Sequence, residues 1–81
     1  MKTETTKRPV YKIAEEILND WRAPHFAARP YLAAMLTINN QHENYGQDTA
    51  KSIILYFLSN SMTYRGNKAK ELKKELKLLI K

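Results

Sequence analysis

The chain has 81 residues, no cysteine, and a formal net charge of +6 from 14 Lys and Arg against 8 Asp and Glu. This length excludes a second domain, because the remaining residues could not close another core, and the missing cysteine excludes disulfides. No stretch approaches the roughly 18 apolar residues of a membrane span, and residues 1–9 lack the apolar segment of a secretory signal, so we expect a cytoplasmic protein with no membrane partner.

Proline positions and apolar spacing predict the first two helices. Residues 1–8 are polar and without period, so we expect a flexible basic tail ahead of a single domain over residues 9–81. Pro9 suits the first turn of a helix, and Pro24 ends it. The apolar residues of this helix recur at steps of three and four: Val10, Ile13, Ala14, Ile17 and Trp21. Pro30 opens a second helix, and residues 39–46 are typical of a long loop.

A third helix is predicted from Asp48, as its N-cap, to about Met62. Its apolar residues cover more than half of the circumference at about 100° per residue. A helix of this kind is either central in a bundle or shared with another subunit. We therefore expect a homo-oligomer that forms through the helix containing Leu55 and Leu58.

The fourth helix follows a break in which Gly66 fits the left-handed residue that ends a helix and Asn67 can cap the next one. On its outer face, five lysines lie within an arc of about 100°: Lys70, Lys73, Lys74, Lys77 and Lys81. The whole pattern predicts an all-α fold, a compact bundle of about four helices. The lysine face suits non-specific contact with phosphates, and a solvated face that maintains solubility is the plainer alternative.

Signals for catalysis and metal binding are weak. The chain has neither a glycine-rich phosphate loop nor a G-x-S-x-G nucleophile turn, and it contains only 2 glycines. The two histidines, His25 and His42, are far apart in sequence, and no cysteine is present to join them, so a metal site that combines them with Glu43 or Asp48 is the disfavoured alternative. No serine has a histidine at helical spacing. We therefore expect a protein that is not an enzyme and that needs no cofactor or metal ion.

The segment between the third and fourth helices, Asn60 together with residues 63–68, has the composition of an anion site, and we call it the elbow. It places an aromatic ring, two cations and a flexible glycine at the start of a helix, in the run Tyr64, Arg65, Gly66, Asn67 and Lys68. Free backbone N–H groups there, beside Arg65 and Lys68, suit a phosphate or a carboxylate. Tyr64 either stacks on a base or packs beneath the turn. In the plainer interpretation the elbow only caps two helices.

Residues 48–66 read DTAKSIILYFLSNSMTYRG. This segment resembles small uncharacterised proteins encoded by bacteriophages, in which a string of the form SAKS…YFL.N..T-aromatic-RG precedes a lysine-rich helix. With a similar segment over residues 21–31, the resemblance covers about residues 11–76. The family has no established activity, so no residue role is carried over. The resemblance implies a phage or prophage context, in which the protein would act in the host cytoplasm.

The positive charge favours an anionic partner. We expect non-enzymatic binding of nucleic acid or of a nucleotide, and sequestration of a nucleotide signal from host defence is one concrete version. The alternative is a protein-binding modulator that inhibits a host enzyme through an apolar and basic surface. Salt separates the two, because phosphate-led binding weakens steeply with salt and an apolar interface barely responds.

Overall fold

Four α-helices form within residues 8–39, 44–45 and 48–80, which are the residues that a computed structural model of the chain describes. They are α1 (Val10–Asp20), α2 (Arg29–Met35), α3 (Ala50–Ser59) and α4 (Asn67–Leu79). The all-α class and the number of helices are therefore confirmed. Between α2 and α3, where a loop was predicted, two-residue strands β1 (Asn44–Tyr45) and β2 (Asp48–Thr49) pair antiparallel, with Asn44 opposite Thr49.

Helix α1 forms where the apolar stripe predicted it, and its stripe is fully buried. The helix ends at Asp20, four residues before Pro24, because Trp21 leaves the helical conformation and inserts its ring into the core. At the other end, the N–H groups of Val10 and Tyr11 donate to the carbonyls of Asn39 and Ile38 at 2.9 and 2.8 Å. The segment after α2 thus satisfies two amides that no intrahelical bond could satisfy.

One hydrophobic core joins the four helices. Helix α1 packs against both α2 and α4, whereas α3 packs mainly against α2. Helix α3 is therefore not enclosed by the other helices, and Leu55 and Tyr56 are 48% and 47% exposed. Leu58 is half-buried and packs against the core.

The start and the end of α3 differ from the prediction. Thr49, not Asp48, is the N-cap, and its hydroxyl oxygen accepts a hydrogen bond from the Ser52 N–H at 3.1 Å. Asp48 lies in β2 instead, one residue too early for this role. The helix stops at Ser59, and the N–H of Ser61 donates to the carbonyl of Leu58, three residues back, at 3.3 Å. Met62, predicted near the end of this helix, therefore lies beyond it and is exposed.

Gly66 begins α4 and does not end α3. It is the N-cap of α4 with φ 116° and ψ 174°, a conformation that L residues with a side chain rarely adopt. Asn67, predicted as the cap, is instead the first residue of α4. The predicted tail, residues 1–8, lies outside the described residues except for Arg8, whose side chain contacts both α1 and α4.

Candidate anion site at the elbow

An aromatic stack supports the elbow from below. The ring centres of Tyr64 and Trp21 lie 4.9 Å apart, and the two ring planes differ by 15°. The Tyr64 hydroxyl donates a hydrogen bond to Asp20 Oδ2 at 2.7 Å. Burial is the largest cause that raises the pKa of Tyr64, and this hydrogen bond is the second. Only 2% of the residue is exposed. Its ring therefore packs beneath the turn and leaves little of its surface for a ligand.

Lys73 is turned toward the elbow and is not part of an outward lysine face. Its Nζ donates to the Ser61 carbonyl at 2.6 Å and lies 5.6 Å from the centre of the Tyr64 ring. Burial lowers the pKa of Lys73, and repulsion from Lys77 and Arg65 lowers it further. The prediction that it lies on the solvated face is wrong, because the end of α3 offers it a carbonyl and an aromatic face.

Above this stack lies a depression of about 400 Å³, which we call the elbow depression. Its walls come from the elbow and the first two turns of α4: Met62, Tyr64, Arg65, Gly66, Asn67, Ala69, Lys70 and Lys73. None of these residues is acidic, and three are cationic. Arg65 and Lys70 are exposed, and Arg65 makes a single long hydrogen bond, from Nε to the Met62 carbonyl at 3.5 Å. The depression is therefore a concave surface with concentrated positive charge.

Lys68, predicted as part of the elbow site, is directed elsewhere. Its Nζ lies 3.1 Å from Glu16 Oε1 on α1, and it does not line the elbow depression. Glu16 also accepts a hydrogen bond from Arg8, whose guanidinium donates to both carboxylate oxygens of Glu75 at 2.7 Å. The hydrogen bonds from Arg8 and then Lys68 lower the pKa of Glu16. Lys68 thus belongs to an ion-pair network between α1 and α4.

Three of the four predicted phosphate-contacting lysines remain on the outer face of α4. Lys70, Lys74 and Lys77 are exposed, and none of them has an ion pair within the described part of the chain. Their spacing places them on one side of the helix over about 10 Å. Lys70 belongs both to this row and to the elbow depression.

A second depression, of about 210 Å³, adjoins the first and was not predicted. It is lined by His25, Ser59, Asn60, Met62 and Thr63. Asn60 and Thr63 had been assigned to the elbow, but no local pattern connects them with His25. The chain between α1 and α2 brings His25 there, and the early end of α3 exposes Met62 to 78%.

The expectations of no metal site and no membrane span can be compared with the described residues only. Within residues 8–39, 44–45 and 48–80, no group of three or more His, Cys, Asp or Glu side chains is placed to hold a metal ion. His42 and Glu43 lie outside these residues. In the same part of the chain, no helix combines the length and the apolarity needed to cross a membrane.

Comparisons of the chain with protein-family models, with curated proteins and with solved structures found no match. The class of protein is therefore defined by its fold and site alone: a small all-α bundle with a basic depression between its third and fourth helices.

Proposed function

We propose that the protein binds a phosphate-bearing ligand, nucleic acid or a nucleotide, in the elbow depression and does not catalyse a reaction. The observation that carries this proposal is the meeting of Arg65, Lys70 and Lys73 at one concave surface with no acidic residue in its lining. Burial, then repulsion from Lys77 and from Arg65, lowers the pKa of Lys73, and a bound anion would offset the repulsive part.

The exposed lysines of α4 extend this surface. From Lys70 at the depression, Lys74 and Lys77 continue along the helix for about 10 Å, a distance over which a nucleic-acid backbone presents several phosphates. Lysine contacts of this kind add affinity without selecting a sequence. In the phage context that the resemblance implies, sequestration of a nucleotide signal in the host cytoplasm is one form of this function.

Arg65→Ala tests the proposal. A charge-assisted hydrogen bond to phosphate contributes about 1.5–3 kcal/mol, so the variant should bind pyrophosphate or a mixed-sequence oligonucleotide roughly 10- to 150-fold more weakly. Its melting temperature should stay close to that of the wild type, since Arg65 has only one long hydrogen bond. Isothermal titration calorimetry and thermal unfolding measure the two quantities.

Arg29→Ala is the matched control. Arg29 is also exposed, and its Nε also donates to one backbone carbonyl, that of Pro24 at 3.2 Å, but it does not line the elbow depression. The Arg29→Ala variant should bind the same probes with the affinity of the wild type. Gly66→Ala should lose about 1 kcal/mol of stability because of the positive φ of Gly66. Should Arg65→Ala unfold as readily as Gly66→Ala, or bind as Arg29→Ala does, the proposal fails.

A second candidate, a modulator that docks on a host protein, is favoured by a different surface. A separate groove of about 300 Å³ is lined almost entirely by apolar residues: Leu18, Pro24, Arg29, Leu32, Ala33 and Leu36. Leu18 is 46% exposed there. A partner held in this groove would bind with little dependence on salt and would lose affinity with Leu18→Gln, whereas binding at the elbow depression would not respond to that change.

A further inference from the structure

The elbow depression and its neighbour differ in chemistry and share one wall. Met62 lines both, so its exposed side chain separates them. On one side of Met62 the polar side chains are largely cationic, with Arg65, Lys70 and Lys73. On the other side the polar lining comes from His25, Ser59, Asn60 and Thr63, with no Lys, Arg, Asp or Glu among the lining residues. We call this second cavity the Asn60 depression.

The Asn60 depression offers both a hydrogen-bond donor and an acceptor in fixed positions. His25 Nδ1 accepts from the Ala27 N–H at 3.0 Å, so the proton of the neutral imidazole lies on Nε2, which can donate. The Asn60 side-chain nitrogen donates to the Tyr56 carbonyl at 2.8 Å, which orients the amide and leaves its oxygen to accept. A neutral ring with both donors and acceptors on its edge matches this set.

We propose that the two depressions together form a nucleotide site, with phosphate in the elbow depression and the base in the Asn60 depression. The inference rests on the proposed function and adds the class of the ligand to it. Nucleobases are recognised through hydrogen bonds on their edges and apolar contacts on their faces, and the exposed side chain of Met62 supplies such an apolar contact. An acidic peptide fits less well, since it would place carboxylates beside Asn60 and Thr63, where no cation lines the wall.

The test compares ligands with and without a base. Ribose 5-phosphate serves as the base-free probe, and the common nucleoside monophosphates serve as the full ligands, with affinities measured by calorimetry. At least one nucleotide should bind about 10-fold more tightly than ribose 5-phosphate, the equivalent of one good base contact. Asn60→Ala and Thr63→Val should remove that preference while leaving the affinity for ribose 5-phosphate unchanged. Thr63→Val keeps the shape of an exposed side chain, so it guards against a loss caused by misfolding.

The outcomes separate the two proposals. Equal affinity for ribose 5-phosphate and for every nucleotide would overturn the base site while anion binding at the elbow depression stands. Binding of neither probe would overturn both. A preference for nucleotides that survives both substitutions would also overturn the base site. A single-stranded dinucleotide, measured beside the monophosphates, then identifies the source of the ligand: tighter binding indicates a nucleic-acid strand, and weaker binding indicates a free nucleotide.

Discussion

Tyr64 shapes the elbow by packing beneath it. Its ring fills the space between Trp21 below and the ammonium group of Lys73 above, and its hydroxyl is fixed by Asp20. The ring centres of Trp21 and Phe57 lie 6.2 Å apart with an interplanar angle of 74°, so the aromatic contacts continue into the core. Lys73 is thereby held at the depression by a hydrogen bond and an aromatic face. The core residues beneath the elbow therefore position Lys73.

Tyr64→Phe should separate the hydroxyl from the ring. The variant keeps the stack on Trp21 but loses the hydrogen bond to Asp20, and we expect a loss of about 1 kcal/mol in the free energy of unfolding. Tyr56→Phe is the control, since Tyr56 is 47% exposed and its hydroxyl makes no hydrogen bond within the described part of the chain. Urea unfolding measures both. Equal stability of the two variants would show that the Asp20 contact adds nothing.

At the scale of elements, α1 and α4 are joined by charge as well as by the core. Arg8 reaches Glu16 on α1 and Glu75 on α4, and Lys68 reaches Glu16 from the first turn of α4. These side chains are between 31% and 51% exposed, so water weakens each pair. The network fixes the start of α4, on which the elbow depression depends.

Arg8→Ala should therefore destabilise the fold in a pH-dependent way. The pKa of Glu16 is lowered in the folded state from its ordinary value of 4.5, so the folded state binds fewer protons and the network stabilises it above that pH. The contribution is lost as the pH falls through the lowered pKa. We expect Arg8→Ala to cost about 1 kcal/mol at pH 7 and less in acid, by urea unfolding. Arg22→Ala, which removes an exposed arginine with no ion pair among the described residues, should change little at either pH. A cost that is the same at both pH values would contradict the role given to Glu16.

Helix α3 leaves an apolar surface that we propose for self-association. Leu55 and Tyr56 are about half exposed, and the ring of Tyr31 on α2 lies 5.5 Å from that of Tyr56. Sedimentation at micromolar concentration should show at least a dimer, because burying Leu55 contributes roughly 1.5–3 kcal/mol. Leu55→Ser should shift the population toward monomer. Leu78→Ser on α4, which removes a leucine of similar exposure (51%), should not. A wild-type protein that stays monomeric at high concentration would end this proposal.

The sequence predicted the helices better than it predicted the site. Apolar residues at steps of three and four identify α1 because burial of one face is a local, periodic property. The contacts that build the elbow are not local: Tyr64 and Asp20 are 44 positions apart, and Arg8 and Glu75 are 67 apart. Composition marked Arg65, Lys70 and Lys73 as cations but gave no sign that Lys68 would pair with Glu16. Met62 was misplaced because α3 ends at Ser59, three residues before the predicted end.

At the scale of the whole molecule, basic and apolar surfaces occupy different places. The elbow depression and the outer face of α4 carry unpaired cations, whereas the groove beside Leu18 and the exposed side of α3 are apolar. Under the proposed function, this separation would allow an anionic ligand and a protein partner, or a second copy of the chain, to contact different surfaces. The net charge of +6 would also speed the approach of an anion from a distance, an effect that salt screens.

The most direct test of the central claim is a map of where an anion binds. Pyrophosphate added to the isotope-labelled protein should shift the backbone amide resonances of Arg65, Gly66 and Lys70 in nuclear magnetic resonance spectra, with saturation and with weaker binding at high salt. Amides near Leu55 and Leu18 should stay in place. Shifts spread evenly over all exposed lysines, or no shift at the elbow at saturating pyrophosphate, would contradict the assignment of the elbow depression as an anion site.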